Sequence, residues 1–406
     1  MRKTLFGGKL LVAFILGSFI AGQTPALLAQ DLARISKIVG SRDAVLLTDP
    51  NQKIIVSKNI DKTLIPASTL KILTALVGLR YLGSDYRFVT EFYTNPNFDL
   101  KVKGYGDPVL ISETLAQIAH FLKLKIKRFN NLVLDSTYFA APLLIPGLTS
   151  SPNPYDAPNG ALCANFNTIY FKRTQKGKYV SAEPQTPLLP FALKMIKNRS
   201  LKQERVIIPG EKNQHTLYAG HLLKYFLVEK GIQTSGTVKL GRVLKTSDRL
   251  ILRYRSNLSL TQVVARLLEF SNNFIANQIL VSTGANVLGA PGTLDKGVKT
   301  LSTYARRELE IDDLNIAEGS GISRKNRISA RSMLKVLNKF EPYHRLMSSE
   351  NGAYFKTGSL YGIRTRAGYI EDEDGRLFRF VILLNTPGKT TQPIMQQLQR
   401  IVANLH

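Results

Sequence analysis

The chain has 406 residues, a length that predicts two or three domains, and its 44% of hydrophobic residues excludes a disordered protein because a core can form. The single cysteine excludes a disulfide scaffold and any metal site built from several thiolates. The formal net charge of +26 favours an anionic partner, such as nucleic acid, a membrane surface or an acidic polymer, without choosing among them.

The first 29 residues have the pattern of a secretory signal peptide. Arg2, Lys3 and Lys9 precede an apolar run over residues 10–21, and small residues follow. This order is typical of export signals, and the run is too short to span a bilayer comfortably. We predict a signal peptide at 1–29 and an exported protein, periplasmic or extracytoplasmic and in peripheral contact with the membrane; the alternative is an N-terminal anchor or a buried helix. The segment carries three basic residues and no acidic one, so its removal leaves a charge of +23 and favours cell-wall polymer or lipid headgroups as partners.

Residues 30–87 begin an α/β domain. The runs 44–47 and 53–56 flank the turn residues 49–51 and predict a β-hairpin. A helix is predicted to begin near Pro66, a residue suited to a first helical turn. Its apolar positions cover more than one face, which indicates a helix buried inside the domain.

The middle of the chain, residues 88–250, has a different pattern. Short strand-like runs alternate with stretches rich in Pro, Gly and Asn, and one predicted helix, 217–230, interrupts them. The strand-like runs are 131–134, 169–172, 206–208 and 236–240. This pattern predicts one or two inserted domains, mostly β.

The C-terminal elements complete the first domain. Three strands are predicted, at 354–356, 364–370 and 378–384. An Asp374-Gly375 turn joins the last two, and an amphipathic helix closes the chain. Because compatible elements lie at both ends of the chain, we predict a discontinuous α/β domain, 30–87 and 251–406, with an antiparallel sheet flanked by helices.

The histidines indicate neither a metal site nor a histidine-dependent hydrolase. All five are scattered without the spacing of metal ligands, and each is interpreted as a surface or packing residue. The sequence has no Gly-x-Ser-x-Gly elbow and no phosphate-binding glycine loop. We expect no metal and no cofactor.

A serine activated by a lysine has more support. Ser68 and Lys71 open the predicted buried helix, and three residues of helix put them on one face, one turn apart. Burial disfavours the ammonium form, so a neutral Lys71 can take the hydroxyl proton of Ser68. The helix start also offers free N–H groups to a developing anion. The motif alone is weak, since chance predicts about one or two and a second Ser-x-x-Lys occurs at 332–335.

The order of three motifs makes the signal specific. The run Lys-Thr-Gly-Ser at 356–359 is rare by chance and lies at the end of a predicted strand, where it can present a donor-rich edge to a carboxylate. The tripeptide Ser-Asn-Asn at 271–273 lies between the other two motifs and starts another predicted helix. The order Ser-x-x-Lys, Ser-x-Asn, Lys-Thr-Gly defines the penicillin-binding and β-lactamase active site. The second Ser-x-x-Lys does not fit, because it follows residue 271.

On these motifs the sequence resembles the D-alanyl-D-alanine carboxypeptidase/endopeptidase family, the class C low-molecular-mass penicillin-binding proteins. The stretch between Ser68 and Ser271 is far longer than in a β-lactamase, and this insertion is a mark of the family. Further family-like stretches are 104–108, 155–167, 318–324, 367–369 and the strand that ends at Asn385. The resemblance implies a penicillin-binding/β-lactamase-like transpeptidase domain of α/β class with a large, mostly β insertion.

The resemblance also implies catalytic roles for five residues. Ser68 would be the acylated nucleophile and Lys71 its general base. Ser271 would relay a proton towards the leaving D-alanine amine, and Asn273 would hold the substrate's peptide. Lys356 would supply positive charge near Ser271.

Substrate binding is implied for the rest of the third motif. Thr357 and Ser359 would bind the terminal carboxylate, and Gly358 between them would let the backbone come close to the ligand. The backbone N–H groups of Ser68 and Ser359 would form the oxyanion hole. Water would then release the acyl-enzyme, whereas β-lactams would acylate Ser68 and remain.

Three positions depart from the family pattern. Asn272 and Glu318 each stand where aspartate is usual, and Asn277 occupies a position that often holds glutamate. None of these departures removes a catalytic group, so we expect activity.

The implied function is a serine-type D-Ala-D-Ala carboxypeptidase that acts on peptidoglycan stem peptides, with DD-endopeptidase activity left open. The expected partners are stem peptides, β-lactams as covalent inhibitors and an anionic wall or membrane surface, but no nucleic acid. The alternative is a non-catalytic or weakly active exported protein that binds the cell wall. A β-lactamase is disfavoured because no further carboxylate motif promotes deacylation. A nucleic-acid-binding module would require the export signal to be wrong and lacks an aromatic-interleaved basic motif.

Overall fold

The computed structural model describes residues 25–149, 151–197 and 202–405. The predicted signal peptide lies outside these residues, except for its last five positions, which begin the first helix. Within the described ranges, no helix combines the length and the hydrophobicity that a membrane span requires.

Ten helices and sixteen strands are assigned in the described residues. The helices are α1 (Pro25–Ile38), α2 (Lys71–Leu82), α3 (Ser112–Lys123), α4 (Pro190–Ile196), α5 (Gln214–Glu229), α6 (Leu260–Phe270), α7 (Asn273–Leu288), α8 (Leu294–Glu308), α9 (Ala330–Phe340) and α10 (Gln392–Ala403). The strands are β1 (Asp43–Thr48), β2 (Ile54–Lys58), β3 (Val89–Thr94), β4 (Leu100–Gly104), β5 (Arg128–Phe129), β6 (Leu132–Asp135), β7 (Thr168–Arg173), β8 (Tyr179–Ser181), β9 (Gln203–Ile207), β10 (Gln233–Thr234), β11 (Val238–Leu240), β12 (Arg249–Arg255), β13 (Ser348–Glu350), β14 (Ala353–Leu360), β15 (Ile363–Glu371) and β16 (Leu377–Leu384).

One six-stranded antiparallel sheet joins the two ends of the chain. Its order is β13-β14-β15-β16-β1-β2, so the N-terminal hairpin pairs with the last strand. The predicted hairpin and all three predicted C-terminal strands are confirmed.

The sheet is covered by helices on both faces. Along β1, Ala44 and Leu46 face the core formed by α2 and α6 to α9, whereas Val45 and Leu47 face α1 and α10. Because successive side chains of a strand point to opposite faces, burial on both sides explains the uninterrupted apolar run of β1.

Helix α2 lies inside the large core, as its sequence predicted. Every residue from position 71 to position 79 is buried. Gly78 is required for the packing, since a Cβ there would lie 2.6 Å from the Cγ2 of Ile279 on α7. The close approach of α2 and α7 positions two of the three predicted motifs against each other.

The insertion carries its own sheets and core. Its largest sheet has the order β11-β6-β4-β3-β12, and smaller sheets pair β8-β7-β9 and β10-β5. Helices α3, α4 and α5 contribute to a separate hydrophobic core with these strands. The four predicted strand-like runs are confirmed as β6, β7, β9 and β11, and the predicted helix is α5.

Two features of the insertion differ from the prediction. The sequence analysis missed α3, although its buried residues Leu115, Ile118, Ala119 and Leu122 have helical spacing, and it also missed the short helix α4. The predicted boundary at residue 250 falls inside β12, which pairs with β3 as far as Arg255. Ser256 N then donates to Phe88 O at 2.8 Å, so the chain enters and leaves the insertion at neighbouring points.

Candidate active site

Ser68 lies in a single 3₁₀ turn, Ala67–Leu70, that leads directly into α2. In such a turn, residues three positions apart are eclipsed, which brings the side chains of Ser68 and Lys71 together. The Nζ of Lys71 lies 2.9 Å from the Oγ of Ser68. The predicted contact is therefore present, with a tighter first turn than the predicted α-helix.

Lys71 is fully buried, and its amine also reaches two acceptors outside its own helix. Nζ donates to Asn273 Oδ1 at 2.8 Å and to the carbonyl of Ser320 at 2.6 Å. Burial lowers the pKa of Lys71 to about 7; the charge of Glu318 opposes this shift and that of Lys356 adds to it. A large fraction of the amine is therefore neutral near pH 7, as a general base requires.

The buried carboxylate of Glu318 organises the loop that presents the Ser320 carbonyl. Its Oε1 accepts from Gly321 N at 2.7 Å and from Asn326 Nδ2 at 2.7 Å, and its Oε2 accepts from Ser320 N and Ser320 Oγ, both at 2.6 Å. The loop presses on the nucleophile's turn, since a Cβ on Gly321 would lie 1.9 Å from Ala67 O. In the sequence analysis Glu318 was only a departure from aspartate, whereas in the structure it positions the loop.

Asn277, the departure from the usual glutamate on α7, contacts Glu318 directly. Its Nδ2 donates to Glu318 Oε2 at 3.2 Å, and its Oδ1 accepts from Gly319 N at 2.8 Å. A carboxylate at position 277 could not donate to Glu318 and would add a second buried negative charge. The amide at 277 is therefore complementary to the glutamate at 318.

The Ser-x-Asn motif forms the junction between α6 and α7. Ser271 ends α6 in the left-handed region with φ +53°, and Asn272 caps α7 by accepting from Ile275 N at 3.0 Å. Asparagine and aspartate are equally good N-caps, which explains why Asn272 fits a position where aspartate is usual. Asn273 then contacts Lys71, and its Nδ2 donates to Tyr155 O of the insertion at 3.4 Å. Among the described contacts, no hydrogen bond joins Ser271 to Lys71 or Lys356.

The Lys-Thr-Gly-Ser motif lies inside β14, whereas the sequence predicted it at a strand end. Lys356 and Gly358 are buried, and Thr357 and Ser359 alternate with them on the exposed face. Burial lowers the pKa of Lys356 to about 8. A Cβ on Gly358 would lie 2.7 Å from the backbone N of Ser68, so only glycine lets the strand pass so close to the nucleophile.

The outer edge of β14 is open beside the nucleophile. Strand β13 pairs only with residues 353–355 of β14, and no strand assigned in the described chain pairs with that edge over 356–360. An unpaired edge offers N–H and C=O groups to an extended peptide. The motif therefore lies where a peptide substrate can add to the sheet.

A buried glutamine, which the sequence analysis missed, connects the insertion to this site. On α7, five residues after Asn273, Gln278 Nε2 donates to the carbonyls of Gly106 and Gly160 at 3.1 and 3.0 Å. Its Oε1 accepts from Asn159 Nδ2 at 3.1 Å and from Gly160 N at 3.2 Å. The available signal was a pair of adjacent amides, Asn277 and Gln278, among the mostly apolar residues of a buried helix.

The structure separates the competing nucleophiles from the site. In the second Ser-x-x-Lys, Ser332 Oγ donates a hydrogen bond to Asp313 Oδ1, and Lys335 Nζ donates to Glu310 O at 2.6 Å. Cys163 is buried, and burial raises the pKa of its thiol to about 12, which disfavours a thiolate at neutral pH. In the described part of the chain, no group of three or more His, Cys, Asp or Glu could hold a metal ion.

Comparisons with known proteins show the family and the fold of the chain. The sequence model described as the D-Ala-D-Ala carboxypeptidase 3 (S13) family matches residues 26–351. A D-alanyl-D-alanine carboxypeptidase of Actinomadura sp. (strain R39) is 23% identical over 450 residues, covering 88% of this chain and 83% of the relative. Penicillin-binding protein 4 of Haemophilus influenzae superposes with a TM-score of 0.75 at 20% identity, over 91% of this chain and 98% of that protein. The penicillin G-acylated predatory endopeptidase of Bdellovibrio bacteriovorus superposes with a TM-score of 0.54 at 18% identity, over 88% and 91%. The predicted fold class is confirmed.

Proposed function

The chain belongs to the D-Ala-D-Ala carboxypeptidase 3 (S13) family, and on that premise we propose that it cleaves the D-Ala-D-Ala end of peptidoglycan stem peptides through an acyl-enzyme on Ser68. It is a serine-type D-Ala-D-Ala carboxypeptidase, as its ordered motifs predicted. The observation that carries the assignment of residues is the 2.9 Å contact between Ser68 Oγ and the Nζ of a fully buried Lys71.

Acylation begins with proton transfer within this pair. Neutral Lys71 takes the hydroxyl proton as Ser68 Oγ attacks the carbonyl carbon of the penultimate D-alanine. The resulting ammonium is held by Asn273 Oδ1 and by the Ser320 carbonyl, both of which already accept from Nζ. The C–N bond of the tetrahedral intermediate then breaks, and Ser271 relays the proton that Lys71 took up to the leaving amine of the terminal D-alanine, which leaves Lys71 neutral.

The edge of β14 orients the substrate. The stem peptide adds to the open edge, and its terminal carboxylate is bound by the hydroxyls of Thr357 and Ser359, with the charge of Lys356 nearby. The backbone N–H groups of Ser68 and Ser359 stabilise the oxyanion. The close passage of Gly358 by Ser68 N supports this arrangement.

Hydrolysis of the ester by water completes the turnover. A β-lactam opened by Ser68 forms the same kind of ester, and we propose that this adduct persists. The penicillin G-acylated structure of the Bdellovibrio endopeptidase supports this proposal.

The domain division and the location of the protein are part of the proposal. We assign residues 30–87 and 256–406 to the catalytic domain and residues 88–255 to the insertion, which is supported by the pairing of β12 with β3. Residues 1–29 direct export to the periplasm or another extracytoplasmic compartment, where peptidoglycan is found.

DD-endopeptidase activity at the same site is the second candidate. A cavity of about 840 Å³ in the insertion is lined by Asp156, the neighbour of the Tyr155 whose carbonyl contacts Asn273. This space favours a substrate larger than a single stem peptide. Incubation with cross-linked muropeptides distinguishes the two activities, since a carboxypeptidase releases D-alanine and an endopeptidase splits the dimer.

Labelling with a fluorescent penicillin tests the acyl-enzyme. We expect one covalent adduct on the purified protein and none on Ser68→Ala. An unlabelled wild type, or an adduct that survives Ser68→Ala, would support the non-catalytic alternative and reject the proposal.

A further inference from the structure

We propose that the end of the insertion formed by the β3–β4 turn is a membrane-docking surface. Phe98 enters the lipid interface there, while Lys127, Arg128 and Arg249 bind the phosphates of anionic phospholipids. This inference goes beyond the proposed function, because it concerns where the enzyme is held and makes no use of the acyl-enzyme.

The β3–β4 hairpin determines the position of this surface. At one end of the hairpin Val89 pairs with Arg255, and Gly106, two residues after the end of β4, accepts from Gln278 Nε2 of α7 at 3.1 Å, so this end lies near the junction with the catalytic part. At the other end Thr94 pairs with Leu100, and the turn 95–99 follows. Five residue steps at about 3.4 Å place the turn roughly 17 Å farther out.

The turn presents an aromatic ring to solvent in a strained backbone conformation. Phe98 has φ +60° and a relative exposure of 63%. Its conformation is fixed because Phe98 N donates to Asn95 O at 3.0 Å and Phe98 O accepts from Asn130 N at 2.8 Å. A left-handed backbone conformation costs a bulky residue about 1 kcal/mol or more of conformational free energy, and asparagine adopts it with less strain. The turn therefore exposes an apolar side chain at a position where a polar residue such as asparagine would strain the backbone less.

Three cations surround an open cavity beside this ring. The cavity has a volume of about 480 Å³ and is lined by the apolar side chains of Phe98 and Ile126 and by Lys127, Arg128 and Arg249, with no acidic residue. All three cations are exposed, and none of them is in an ion pair within the described residues.

The two carboxylates next to Phe98 and Arg249 in the sequence, Asp99 and Asp248, form no ion pair with these cations in the described residues. Asp99 is buried and accepts from Asn131 N and Asn131 Nδ2 at 3.0 and 2.9 Å. Asp248 is buried and forms an ion pair with Lys101 at 2.8 Å. Of the two carboxylates only Asp99 is without an ion pair in the described chain, so three cations outnumber one carboxylate and the net positive charge is complementary to phosphate.

The adjoining end of α3 extends the same combination of charge and hydrophobicity. Leu124, with a relative exposure of 74%, lies between the exposed Lys123 and Lys125. Lysines can keep their heads at the phosphate level while neighbouring apolar groups enter the interface. A soluble polyanion would bind the cations but would make no apolar contact with the exposed Phe98 and Leu124. The surface is therefore complementary to a lipid interface, which offers both phosphates and acyl chains.

Vesicle co-sedimentation tests the proposal with the protein purified from the exported fraction of a secreting host. We expect binding to vesicles that contain phosphatidylglycerol and weak binding to pure phosphatidylcholine. Each removed cation should weaken binding about fivefold, so Lys127→Gln/Arg128→Gln/Arg249→Gln should weaken it on the order of 100-fold. Phe98→Asn should also weaken binding, and its turn should not be destabilised because asparagine tolerates positive φ.

The matched control removes the same charge elsewhere. Lys172, Lys176 and Lys178 are exposed in and beside the β7–β8 hairpin, and their triple change to Gln should leave binding nearly unchanged. Equal losses in the two triple variants, unaltered binding by Phe98→Asn, or equal binding to phosphatidylcholine would overturn the proposal. Competition by a soluble polyphosphate that abolishes vesicle binding equally in wild type and Phe98→Asn would assign the site to a polymer and also reject it. Penicillin labelling of Ser68 should be unchanged in all variants, so failure of docking and failure of the proposed enzyme are distinguishable.

Discussion

The substitution Glu318→Gln tests whether the buried carboxylate both holds its loop and raises the pKa of Lys71. The carboxylate accepts six hydrogen bonds, three on each oxygen. A glutamine oxygen can replace Oε1, but its NH₂ group would then face Ser320 N, Ser320 Oγ and Asn277 Nδ2. Since a buried polar group without a partner costs about 1–3 kcal/mol, we expect a loss of about 4 kcal/mol in the free energy of unfolding.

The same substitution has an electrostatic effect that can be measured separately. Glu318 raises the pKa of Lys71, so its neutralisation lowers that pKa and moves the acid limb of the acylation rate below pH 7. Stability follows from urea unfolding, and the pH midpoint follows from the rate of fluorescent penicillin labelling. The midpoint reports Lys71 even if loss of loop order lowers the maximal rate.

The double variant Asn277→Asp/Glu318→Gln is the matched control. The carboxylate introduced at position 277 could accept from the new glutamine NH₂ and still accept from Gly319 N, and it would restore one negative charge near Lys71. We expect it to recover about 1–3 kcal/mol of stability and to move the acid limb back towards pH 7. The reasoning is refuted if the double variant is no more stable than Glu318→Gln and both keep the wild-type midpoint.

Three further outcomes are expected. The rate of acylation by penicillin should rise with pH through about 7, where Lys71 loses its proton, and fall above about 8, where Lys356 loses its charge. A rate that does not change between pH 5.5 and 9.5 would contradict these roles. Gly358→Ala should slow acylation about 100-fold or more, because its Cβ would lie 2.3 Å from Thr365 Oγ1 and 2.7 Å from Ser68 N and would displace both. The same overpacking should lower the free energy of unfolding by about 1–3 kcal/mol, and acylation within threefold of wild type would show that the strand can yield. Gln278→Leu should destabilise the protein by about 3 kcal/mol in urea unfolding, since it removes four buried hydrogen bonds, and only Asn159 Nδ2 and Gly160 O keep another partner. Gln278→Glu should destabilise it at least as much at neutral pH, because one carboxylate oxygen would face the carbonyls of Gly106 and Gly160.

The sequence predicted the parts of the site that depend on local spacing. Ser68 and Lys71 are three residues apart at a helix start, and this spacing brings them together in either an α or a 3₁₀ turn. The third motif was recognisable because Lys-Thr-Gly-Ser is rare by chance and follows a strand-like run, although the strand continues through the motif. The same local rules would have found α3, whose apolar residues have helical spacing.

Contacts between distant segments could not be predicted in this way. Glu318 and Asn277 each looked like a departure from the family pattern, and only their hydrogen bond shows that they are complementary. The domain boundary moved past residue 250 because β12 continues to pair with β3, which is decided by a strand about 160 residues earlier in the chain.

The sequence by itself determined the order of the motifs and the family they indicate, because the proposed nucleophile, base and carboxylate-binding strand each have a local signature. The tertiary structure decided how the lysine is tuned, since the pKa of Lys71 depends on burial and on charges contributed by two other segments. It also decided which positively charged residues lie together on one surface. The net charge of +26 does not identify any particular surface. The β3–β4 turn lies next to the end of α3 and the start of β12, and this arrangement places three cations beside an exposed aromatic ring. None of these cations forms an ion pair within the described residues.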